Sequence, residues 1–142
     1  MLLLTRRIFA LLVRPAAIRL GVFPTSVDGV AAAAITVPAA AVAWTTGAWT
    51  QIVLAAGVLA DTLITGVSLE NFVGAASQGE VWIGVGTAPL GTEIARIPVV
   101  GAVTMFPRAV WAQAGVGIVA KYRTSTGVAD TVDVKLLTAT GQ

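Results

Sequence analysis

Chemistry near neutral pH is ordinarily carried by imidazoles and thiolates, and this sequence has no His and no Cys. Their absence removes disulfides, thiolate nucleophiles, zinc and iron–sulfur ligation, imidazole acid–base catalysis and Ser-His-Asp triads together. What remains is Lys121, Lys135, Tyr122, the hydroxyls and seven carboxylates. Carboxylates do acid–base or metal work in pairs and clusters, and only Asp130 and Asp133 come close in sequence. Residues three apart on a strand point to opposite faces, so this pair reads as a solvated turn charge and a surface charge. Gly84-Val-Gly86 lacks the third glycine, the following helix and the lysine of a phosphate loop. These glycines are expected instead to admit close approach of Trp82 or to mark a bulge. The residues thus predict no catalytic, cofactor-binding or metal site, and a protein that is not an enzyme.

Residue types that bind without reacting are more prominent. Tryptophan anchors interfaces and stacks on sugars, and the chain has Trp44, Trp49, Trp82 and Trp111. Their sequence neighbours are Thr, Gly, Ala, Val and Ile, with few of the polar side chains a sugar site needs. Core and subunit-interface packing is therefore expected of them. A second interface set lies near the N-terminus: Arg6, Arg7, Ile8, Phe9, Arg14, Arg19 and Phe23. Residues 1–30 hold four arginines against Asp28, while residues 31–142 hold five bases against six acids, so the net +2 resides in this segment. Four arginines in an apolar segment make a thin phosphate-binding surface, and no nucleic-acid partner is expected.

The elements that would position these residues change along the chain. In the first twenty residues apolar Leu2–Leu4 precede the arginines, the reverse of a secretory signal, and Pro15 would end any interfacial helix. No charge falls between Asp28 and Asp61. That stretch is largely alanine and is broken by Pro38 and a polar second half, which argues against a membrane span. Val30–Trp44 reads as an extended linker, with a short alanine helix over Val30–Ile35 as the alternative. Beyond it the apolar period becomes two, with strands expected over Trp49–Leu54, Leu63–Glu70, Val81–Gly86, Glu93–Val100, Val116–Arg123 and Thr131–Thr138. The pattern predicts a single all-β domain, a β-sandwich or jelly roll, over residues 44–142, preceded by an extended basic and apolar arm over 1–43. Hydrophobic residues make up 56% of the chain and charged residues 11%. Soluble domains average about 45–50% and about 25%, so apolar surface must be covered by other chains or by lipid.

The segments WTTGAWTQI at 44–52, DTLITGV at 61–67, EVWIGVG at 80–86 with EIA at 93–95, AGVGIVAKYR at 114–123 and DTVDV at 130–134 carry a resemblance. Together they resemble small β-sandwich virion proteins of tailed bacteriophages, over about residues 44–138. The resemblance implies a structural role without catalysis, as a capsid decoration (cement) protein, a head-fibre base, or a tail-tip or fibre module. The expected partners are the major capsid protein or other virion proteins and further copies of the chain, drawn as a trimer. The expected location is the capsid surface. A tail, connector or fibre-base component is the first alternative. A small membrane-associated protein anchored through residues 1–20 is the second.

Overall fold

The computed structural model describes residues 18–23, 34–74, 78–99, 103–126 and 130–141. Of the candidate residues, Arg6, Arg7, Ile8, Phe9 and Arg14 lie outside the described residues, as does the side chain of Arg19. The described strands are β1 (Ile18–Phe23), β2 (Ile35–Pro38), β3 (Thr50–Val53), β4 (Thr62–Val73), β5 (Gly79–Val85), β6 (Thr92–Pro98), β7 (Val103–Ala112), β8 (Ile118–Thr124) and β9 (Thr131–Gly141). Among the described residues the one helical element is a single 3-10 turn at Ala55–Gly57.

Two antiparallel sheets result. The first runs β1-β9-β4-β7, with β2 also on β9, and the second runs β3-β8-β5-β6. The pairings nest: β2 with β9, β3 with β8, β4 with β7 and β5 with β6. One long hairpin rolled upon itself pairs its strands in this way, the winding of a jelly roll. The all-β sandwich expected from the alternating pattern is what the chain forms.

Alternation explains the core. Val81 and Ile83 of β5, Ile118, Ala120 and Tyr122 of β8, and Val132, Val134 and Leu136 of β9 point inward and are buried. Their neighbours Trp82, Lys121, Arg123, Asp133 and Lys135 remain partly exposed. On β4 the strict alternation breaks. The register shifts between Ile64 and Gly66, so Ile64 is followed inward by Val67 and Leu69 while Leu63 and Thr65 face outward. A single extra residue moves every later side chain to the opposite face.

Two expectations are corrected, and one strand was not expected. The sandwich does not begin at residue 44: β1 and β2 both pair with β9, and Phe23 and Val37 are buried in the core. Val37 stands opposite Val132 and Ile35 opposite Val134, so β2 extends the apolar layer of β9. The strand β7 was not foreseen because Pro107 interrupts its pattern; β7 is an edge strand, where a missing N–H is tolerated. Asp130 is not a solvated turn charge, being 1% exposed. One carboxylate oxygen accepts from the Thr126 hydroxyl, and Gly74 packs directly against the other side of the carboxylate.

Candidate binding faces

The outer face of the second sheet is built by cross-strand register. Trp82 on β5 lies opposite Arg96 on β6 and Lys121 on β8. The Arg96 guanidinium carbon is 3.9 Å from the centroid of the Trp82 ring, and Lys121 Nζ is 4.2 Å from it. Lys121 Nζ is also 4.5 Å from the Trp49 ring, and Arg123 lies 5.4 Å from Trp82 and 5.5 Å from Trp44. Aromatic and cationic groups thus alternate across the sheet as Trp44, Arg123, Trp82, Lys121, Trp49.

Local sequence explains how the rings are seated. A Cβ on Gly84 would stand 2.8 Å from the Trp49 ring and one on Gly91 3.0 Å from it, so both positions must be bare for the indole to lie down. The close approach expected at Gly84 is made by Trp49, not Trp82, and the expected bulge is also present, between Ile83 and Gly84. Gln51 steadies the adjoining loop: its side-chain amide donates to the carbonyls of Val53 and Ile118 and accepts from the Ala88 N–H at 3.0 Å. Trp44 holds a left-handed backbone, φ 57°, and its N–H donates to the Thr124 carbonyl at 2.8 Å.

Two carboxylates complete this face. Glu80 accepts from the Trp82 indole N–H at 3.2 Å and from Arg123 Nε at 2.9 Å, while Glu93 pairs with Arg96. Partial burial would raise the Glu80 carboxyl, but those hydrogen bonds and the charges of Arg123 and Arg96 together outweigh it and hold it below its ordinary value.

The first sheet presents a divided outer face. At one end Asp133 accepts from Thr36 and from Asn71, and Lys135 pairs with Glu70 at 3.0 Å. At the other end Trp111, Leu63, Ala139 and Leu20 stand side by side in register across β7, β4, β9 and β1. Trp111 is 61% exposed and Leu20 82%. Val22 and Leu137 form a second pair beside that row, over a shallow groove of about 330 Å3 that Thr65 also lines.

The fold therefore separates the candidate residues. Trp44, Trp49 and Trp82 come together, Trp111 sits on the opposite sheet, and Phe23 serves the core and is not available to a partner. Sequence neighbours misled at the three gathered rings, whose polar companions Arg96, Lys121, Arg123 and Glu80 arrive from other strands. Leu20, Leu63, Leu137 and Ala139 were also missed; finding them needs the register of four strands. Among the described residues no group of three or more acidic side chains could hold a metal ion, and no helix is long and apolar enough to cross a membrane. Compared with protein-family models the chain matches none, and no curated protein matches its sequence.

Proposed function

We propose that this chain is a non-enzymatic structural protein of a tailed-bacteriophage particle, a capsid decoration protein that associates through the apolar end of its first sheet. The observation that carries this reading is the row Trp111, Leu63, Ala139 and Leu20, aligned in register across four strands, with Trp111 and Leu20 exposed, Leu63 half-buried and the small Ala139 buried between its neighbours. A contiguous apolar surface with a solvent-facing tryptophan at its margin is what assemblies cover, and tryptophan is enriched among residues that dominate interface energy. Strand β1, which supplies Leu20 and Val22 to this edge, follows the basic and apolar residues 1–17 in sequence. Jelly rolls recur in viral capsid domains, an analogy of fold that lends support without assigning a role. In this reading copies associate around the apolar row as a symmetric oligomer, drawn as a trimer, and residues 1–17 supply contacts to the major capsid protein.

Quantitative peptide mass spectrometry on gradient-purified particles tests the assignment. Near parity with the shell protein is expected, together with loss of the chain from particles when Trp111→Glu and Leu20→Glu are combined. A few to some tens of copies moves the protein to the tail, connector or fibre base. Complete absence from particles overturns the virion reading.

A further inference from the structure

We propose that the outer face of the second sheet binds an acidic saccharide, with Trp44 as the stacking platform and Lys121 as the partner of the sugar carboxylate. Three cations share this face, and two already hold carboxylates: Arg96 with Glu93, and Arg123 with Glu80. Among the described residues no carboxylate lies within ion-pair distance of Lys121, whose ammonium rests between the Trp49 and Trp82 rings. An ammonium carries three donors, and ring faces attract its charge without accepting those donors as oxygen does. A ligand that brings both an anionic oxygen and an apolar face satisfies the cation and the rings together, and a uronic or sialic acid unit brings both.

The backbone at Trp44 is a second, independent observation. A bulky residue seldom holds positive φ, and such outliers persist where the surroundings over-determine them, often at ligand sites. Here the Thr124 carbonyl fixes the Trp44 N–H, and the Trp44 carbonyl accepts from Arg123 at 3.4 Å. The ring is thereby held over the guanidinium at the end of the ladder, with 45% of the residue open to solvent. Glu80 and Glu93 distinguish among anionic polymers. A saccharide brings several hydroxyls per unit that donate to these carboxylates, which a DNA backbone does not. A neutral sugar would leave Lys121 without an anionic partner.

The inference does not depend on where the chain resides. It is tested on the full chain by tryptophan fluorescence and calorimetry. The probes are oligogalacturonate, hyaluronan fragments and oligosialic acid, with maltohexaose as the neutral control and oligo-dT as the polyphosphate control. Saturable binding of at least one acidic oligosaccharide is expected, weakened by salt and at least about tenfold weaker in Lys121→Met and in Trp44→Ala. Lys121→Met keeps the stem against the rings, and circular dichroism verifies both folds. Should Trp44→Ala not fold, Lys121→Met alone decides. The proposal is overturned if none of the acidic probes binds, if maltohexaose binds equally, if oligo-dT binds more tightly, or if Lys121→Met binds as the native chain does.

Discussion

Gly74 and Asp130 show how tightly single residues are constrained here. Gly74 holds φ 128°, and a Cβ there would fall within the Asp130 carboxylate, itself buried beside Tyr122. Burial and the Asp130 charge together push the Tyr122 hydroxyl above its ordinary value. Gly74→Ala therefore combines backbone strain with displacement of a buried charge, and a loss of about 2–4 kcal/mol is expected from urea denaturation. Glu80 gives the pH dependence. Its carboxyl is depressed in the folded chain, so its contribution is present above the unfolded value of 4.5 and is lost as pH falls through the folded value. Comparing urea midpoints at about pH 6 and about pH 3, the native chain should lose more stability than Glu80→Gln, which has no carboxylate to protonate. Equal losses would show that the Trp82 and Arg123 hydrogen bonds do not favour the charged form.

At the scale of elements, the segment before residue 40 divides in two. Truncation after residue 17 leaves every described strand in place and should preserve the far-ultraviolet dichroism and a cooperative melt. Truncation through residue 40 removes β1 and β2, takes away the buried Phe23 and Val37, and bares the β9 ladder from Thr131 to Val134 and from Leu136 to Gly141. Losing one large buried apolar side chain costs about 2–5 kcal/mol, a large part of a domain's stability, so this shorter chain should be unfolded or aggregated. A cooperative melt would show that the sandwich closes without its first two strands. The same division explains what was legible. The strands β5, β8 and β9 were readable because a half-buried strand must alternate, and β3, β4 and β6 because apolar runs are set off by turn residues such as Gly57, Asp61, Pro89 and Gly91. Short or proline-bearing edge strands such as β2 and β7 meet weaker demands and leave a weaker pattern. The alternation of Trp44, Arg123, Trp82, Lys121 and Trp49 was illegible for another reason: its members come from separate parts of the chain and meet only through register.

For the whole molecule, the two sheets turn different chemistry outward, and ionic strength should separate them. Association through Trp111, Leu63 and Leu20 should hold or strengthen in high salt, because apolar burial is not screened, whereas binding at Lys121 should weaken. Sedimentation and saccharide titration at low and high NaCl check both, and parallel responses would mean that one surface serves both roles. The nested pairing also bears on how the chain reaches this state. Strand β9 supplies the ladders of β1, β2 and β4, and Ile35 meets Val134 only after nearly the whole sequence has been made. Contact order is accordingly high, which slows folding to the range of about milliseconds to seconds seen in β-sandwiches. On the ribosome the first sheet stays open until β9 emerges, so β1, β2 and β4 wait with unpaired edges. A chaperone or a neighbouring nascent copy would meet those edges before the finished sandwich exists.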